Sequence, residues 1–107
     1  MGIFGFLAGK DINLGVEEYQ KTPGAKLIDV RTKPEYAQGH VEHSMNIPLD
    51  RIEMIENKVK DKNTPLFVYC QSGARSTQAT SLLRNLGYQD VRNIGGITTY
   101  KGKKVTS

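Results

Sequence analysis

The chain has no tryptophan, a single cysteine among its 107 residues and no long apolar run. One cysteine cannot close an internal disulfide, so nothing points to an oxidising compartment. A lone free thiol fits a reducing cytoplasm, and a cytoplasmic location is expected. The most apolar stretch, Ile3 to Ala8, is broken by Gly5 and follows no basic residue, so it does not read as a signal-peptide core. It is far too short to span a membrane. Residues 1–10 are therefore expected to form a flexible or loosely docked N-terminus ahead of a single domain over 11–107, with a weak membrane-surface anchor as the lesser alternative. The formal charge of +4 is concentrated in Lys58, Lys60 and Lys62 and in Lys101, Lys103 and Lys104. Aromatic residues are scarce among these lysines, so no nucleic-acid partner is expected. The weak positive field favours small anionic substrates.

What is present suffices for a core. A chain of this length buries roughly 65% of the surface its unfolded form exposes, without help from disulfides or metal. Short apolar runs alternate with helical segments. Asp11–Leu14 reads as a first short strand and Val16–Lys21 as a helix, stopped by the turn signal Thr22-Pro23-Gly24. Lys26–Val30 has strand length. Thr32, with Pro34 in the first turn and Glu35 three positions on, has the spacing of a capping box. Ser44–Ile47 reads as a strand ended by Pro48. Asp50 reads as an N-cap for a helix that puts Ile52, Ile55 and Val59 on one face. Leu66–Tyr69 has the look of a buried parallel strand. Thr77–Leu86 reads as a helix with Leu82, Leu83 and Leu86 on its apolar face and Gly87 as its stop. Val91–Ile94 is a last strand before Gly95-Gly96. Strands alternating with helices predict an α/β fold with a central, mainly parallel sheet and helices on both faces. Such sheets bind ligands at the carboxyl ends of their strands, and Cys70 stands at one.

The segment after that strand is Cys70-Gln71-Ser72-Gly73-Ala74-Arg75-Ser76. Its residues are small or polar, and Gly73 lets the backbone turn tightly. Such a loop directs successive N–H groups into an anion-binding nest, and the helix that follows adds the positive end of its dipole. Arg75 brings a permanent charge. A free cysteine is most often a buried structural residue. Between a strand end and this loop, Cys70 reads instead as a nucleophile that works as the thiolate.

Around the loop stand further motifs: Leu27-Ile28-Asp29-Val30-Arg31, Glu35-Tyr36 followed by Gly39-His40-Val41, Met45-Asn46-Ile47-Pro48-Leu49, and Gly95-Gly96. Together with Val68-Tyr69-Cys70, Gly73 and Ser76, in this order, they resemble the rhodanese family from about Asp11 to Tyr100. The resemblance implies a rhodanese-like three-layer domain and a sulfurtransferase. Cys70 would take a sulfane sulfur from a small sulfur-containing anion such as thiosulfate, or from a persulfide donor, and pass it to a thiol or protein acceptor, or to cyanide in an assay. Residues Gln71 to Ser76 would bind the persulfide, and Asp29, Arg31 and Glu35 would support the site. No metal or cofactor is implied, and a monomer is expected. The alternatives are a sulfur carrier dedicated to one partner enzyme and a non-catalytic interaction module of the same fold.

Loop length separates this reading from phosphatases that share the fold. Their loop is one residue longer between cysteine and arginine and has histidine before the cysteine. Here four residues lie between Cys70 and Arg75, Tyr69 precedes the cysteine, and no carboxylate in or just after the loop could serve as a general acid. The absence of a second cysteine weakens any redox cycle with an internal resolving thiol. Asp29 and Arg31 are expected to pair with each other, to hold neighbouring loops or to orient Arg75. Glu35 is expected as a cap or ion-pair partner and His40 as a hydrogen-bonded turn residue. His43 and Tyr100 stand where the family more often has a small residue and tryptophan. The neutral Gln71 leaves Arg75 as the charged side chain inside the loop, which predicts that thiosulfate is a poor donor and a persulfide a better one.

Overall fold

In the computed structural model, residues 11–107 are described; the N-terminal stretch 1–10 lies outside the described residues. Asp11 caps the first helix, α1 (Ile12–Lys21), by accepting the Asn13 N–H. The strand expected over Asp11–Leu14 is therefore the first turn of this helix. Its signal was obscured by Gly15, which faces the sheet so closely that an added Cβ would lie 2.4 Å from Ile94 Cβ. The chain continues through β1 (Lys26–Asp29), α2 (Lys33–Gln38), β2 (His40–Val41) and β3 (Met45–Asn46). The Thr32–Glu35 capping box at the start of α2 is formed as the spacing predicts.

A 3-10 segment over Leu49–Met54 leads into α3 (Ile55–Lys58). Pro48 stands at its cap, so Asp50 lies inside the segment and does not cap it. Ile52, Ile55 and Val59 are nevertheless all buried. Then follow β4 (Leu66–Cys70), α4 (Ala74–Asn85), β5 (Val91–Gly96), a 3-10 turn over Ile97–Thr99 and β6 (Lys104–Val105). α4 starts three residues earlier than its apolar pattern suggests, because Gly73 adopts the left-handed conformation (φ 108°) and turns the chain directly into the helix.

Four parallel strands form the sheet in the order β3-β1-β4-β5, and β2 pairs antiparallel with β6 apart from it. Strand alternation sorts the core into two layers. Leu27, Phe67, Tyr69 and Ile94 pack with Ile12 and Val16 of α1. Ile28, Val68 and Cys70 pack on the other face with Ile55, Ala79 and Leu83. Helices thus cover both faces, and Cys70 faces the α4 layer. On α4 the buried line is Ser76, Ala79, Thr80 and Leu83, spaced at helical intervals. Leu82, expected on the apolar face, is 41% exposed, because it falls one residue off that line. Among the described residues no helix is long and apolar enough to cross a membrane.

Candidate active site

β4 is buried along its whole length and ends at Cys70, itself 1% exposed. The Gly73 N–H donates to Cys70 Sγ at 2.9 Å. Ser76, fully buried, places its hydroxyl 3.5 Å from the sulfur, where it accepts the thiol proton. Ala74, Arg75 and Ser76 form the first turn of α4, whose N–H groups have no intrahelical partner and bring the positive end of the helix to the sulfur. Tyr69 points the opposite way. Its hydroxyl accepts from Val41 N–H at 3.0 Å and meets Ser44 Oγ at 3.1 Å. Burial, with the nearby Asp29 charge, keeps it protonated by raising its pKa. It ties β2 to the sheet and takes no part at the sulfur.

The loop rests on β5. Thr98 N–H donates to Gln71 O at 3.3 Å. Gly96 lies so close beneath that a Cβ there would stand 2.4 Å from Gln71 O and 2.7 Å from Ser72 Cα. The pairing of β4 with β5 shifts between Val68, opposite Asn93, and Tyr69, opposite Gly95, leaving Ile94 as the extra residue of a bulge.

The charged residues form two separate pairs. Arg31 binds the fully buried Asp29, Nη2 to Oδ2 at 2.7 Å, and also donates to Gly39 O at 2.6 Å and Gln71 Oε1 at 3.2 Å. Asn46 donates to the backbone oxygens of Asp29 and Arg31 and holds this corner. Arg75 is bound by Glu35, through Nη1–Oε1 at 2.7 Å and Nη2–Oε2 at 3.0 Å. Neither Asp29 nor Arg31 orients Arg75; that role falls to Glu35, which is at once capping residue and ion-pair partner. The Arg75 hydrogen bonds pull the Glu35 carboxyl down to about 2, against the cost of burial and with help from Thr32. His40 stacks on Tyr36, ring centres 3.6 Å apart, and pairs through Nδ1 with Tyr36 O at 2.7 Å.

Two open grooves flank the loop. One, of about 480 Å³, is lined by Arg31, Gln38, Gln71, Thr98 and Lys104. The other, of about 450 Å³, is lined by Ser72, Gly73, Thr77, Asn93 and Gly96. A third groove, about 610 Å³ and larger than either, is lined by residues of α1 and β5 with Arg84 and includes no residue of the Cys70 loop, so size does not mark the chemistry here. Asn93 and Thr98 have no place among the motifs of the sequence, whereas Asn46 and Gly96 stand in two of them without an assigned role. Asn93 left a signal: asparagine is depleted in strands, so one on β5 calls for a partner.

Residues 15–103 match the family model of the rhodanese-like domain. Over 79 residues the chain is 43% identical to the thiosulfate sulfurtransferase PspE of Escherichia coli, covering 73% of this chain and 76% of that protein. It is 35% identical over 85 residues to the human thiosulfate:glutathione sulfurtransferase, 67% of this chain and 74% of that one. Among solved structures, a rhodanese with anions from E. coli superposes with a TM-score of 0.73 at 40% identity, over 78% of this chain and 99% of that chain.

Proposed function

The chain belongs to the rhodanese-like family, and from that membership we propose that it moves a sulfane sulfur from donor to acceptor as a persulfide on Cys70. The observation that carries this reading is the seat of Cys70 Sγ: at the end of a buried strand, 2.9 Å from the Gly73 N–H and at the start of α4. In the first step the Cys70 thiolate attacks the outer sulfur of the donor. With thiosulfate, the S–S bond breaks, sulfite leaves with its electron pair, and Cys70 retains the transferred sulfur. In the second step a thiolate or cyanide takes that sulfur and returns Cys70 to its starting state. The N–H groups of Gln71 to Ser76 hold the charge of the outer sulfur. Asp29, Arg31 and Glu35 act at one remove, by fixing Gln71 and Arg75. The free thiol suits a reducing compartment such as the cytoplasm, and residues 11–107 work as one unit.

Two displacements on one nucleophile predict ping-pong kinetics. Initial rates at several donor and acceptor concentrations should give parallel double-reciprocal lines, and Cys70→Ser should abolish turnover without altering the circular dichroism of the fold. Intersecting lines, or turnover surviving in Cys70→Ser, would count against the reading.

A further inference from the structure

Asn93 of β5 makes three side-chain hydrogen bonds, two of them to α4. Its Oδ1 accepts from the Ser76 hydroxyl at 2.8 Å and from Gly95 N–H at 3.0 Å. Its Nδ2 donates to Thr77 Oγ1 at 2.9 Å, and the Thr77 hydroxyl gives its own proton to Gly73 O at 2.9 Å. A backbone N–H only donates, so the amide oxygen must face Gly95 and Ser76, and the side chain has one orientation. Ser76 in turn touches Cys70 Sγ. A continuous path therefore runs from the sulfur, through the first turn of α4, to the bulge of β5.

A serine hydroxyl has one proton to give. While Cys70 is a thiol, its S–H points at Ser76 Oγ, and the Ser76 proton has Asn93 Oδ1 at 2.8 Å as its shortest acceptor, with Gly73 O at 3.0 Å and Gly95 O at 3.5 Å as the others. When Sγ carries negative charge, the hydroxyl can turn and donate to the sulfur, while Asn93 stays anchored by Gly95 and Thr77.

We propose that Asn93 is a positioning residue for sulfur transfer: it holds the Ser76 hydroxyl against Cys70 Sγ, ready to donate whenever that sulfur is anionic. The assignment rests on the persulfide reading and deepens it. In the discharge step a bond forms between the acceptor and the outer sulfur, the Sγ–S bond breaks, and its electron pair stays on Sγ. The persulfide is discharged as its anion, so the step releases no proton; the Ser76 proton only reorients. Since Sγ gains charge in this step, losing the donor lowers the rate of discharge and leaves acceptor binding largely unchanged.

The test is a double-mutant cycle on protein preloaded with sulfur, following single-turnover discharge to cyanide. Asn93→Ala and Ser76→Ala are each expected to slow discharge about tenfold, the order of one hydrogen bond to a charged group. The double variant should be no slower than Ser76→Ala alone. Asn93→Asp keeps an acceptor for Gly95 N–H and so keeps the bulge, yet its charge competes for the Ser76 proton; it should melt like the parent and still discharge slowly. Effects that multiply in the double variant, or an Asn93→Asp protein with the parent rate, overturn the proposal. Iodoacetamide alkylation of Cys70 at neutral pH provides a readout that needs no sulfur donor. The same non-additive pattern is expected there. A parent protein that takes no sulfur but shows this pattern defeats the persulfide reading and with it Asn93's part in transfer, while the support of Cys70 Sγ by Ser76 and Asn93 stands; equal alkylation rates in all variants overturn the assignment even where sulfur is taken up.

Discussion

Arg75 and Glu35, forty positions apart in sequence, close a two-point ion pair at 2.7 and 3.0 Å. The pair joins the first turn of α4 to the capping box of α2, so a charge close enough to Cys70 to feel it is fixed from a separate helix. Glu35 does three things at once: it accepts from Thr32 N–H, from the Thr32 hydroxyl and from Arg75.

This pairing has a pH signature. Glu35 titrates at about 2 in the folded protein, below the ordinary value of ~4.3. Its stabilisation is therefore full above the ordinary range and is lost as pH falls from there through about 2. Because Glu35 is 34% exposed, screening keeps the pair's worth below about 1 kcal/mol. The stability gap between the parent and Glu35→Gln, from urea unfolding, should be present near neutral pH and close across that acid window. A gap unchanged at the acid end would contradict the pairing.

Gly96 sets the height of the loop. A methyl there would meet the backbone of Gln71 and Ser72 at 2.4 to 2.8 Å, and backbone cannot move aside as a side-chain tip does. Gly96→Ala should cost about 1–3 kcal/mol by overpacking and reduce sulfur transfer by more than that destabilisation explains. Thermal melts alongside initial rates decide it; a variant with parental rates would mean that the loop tolerates displacement.

The two adjacent leucines of α4 should part company. Leu83 is fully buried and Leu82 is 41% exposed. Leu83→Ala should cost ~2–5 kcal/mol, and Leu82→Ala should stay within about 0.5 kcal/mol, both read from denaturant midpoints.

Those leucines also show where the sequence stops being legible. The parallel sheet, the position of Cys70 and the capping box were readable because each is written locally, in an apolar run, a turn glycine or a fixed spacing. Which leucine faces inward depends on the phase of α4, set by the Gly73 turn four residues before the apolar pattern begins. The Asp11–Leu14 segment does not show its helix locally because Gly15 answers to Ile94 on a distant strand. β2 and β6 are two residues each, too short to show a period. The partners of Arg75 and Ser76 are non-local: Glu35 and Asn93 meet them only in the folded chain.

Donor choice follows from how the cations are used. Arg75 is held by Glu35, Arg31 by Asp29, and Gln71 is neutral with its Oε1 accepting from Arg31. A divalent sulfur oxyanion thus finds little free positive charge in the loop, and a persulfide donor should give the higher kcat/KM in steady-state comparison. A clear preference for thiosulfate would contradict this and would point to Lys104, in the adjoining groove, as the anion's partner.

The proposed function stands on Cys70 itself carrying the sulfur. Intact-mass spectrometry of the reduced protein after treatment with a persulfide donor or thiosulfate, followed by peptide mapping without reductant, tests it directly. One added sulfur atom is expected, located on Cys70, absent in Cys70→Ser and removed by cyanide. Unchanged mass in the protein with Cys70 reduced and reactive, or added sulfur that persists in Cys70→Ser, would contradict it.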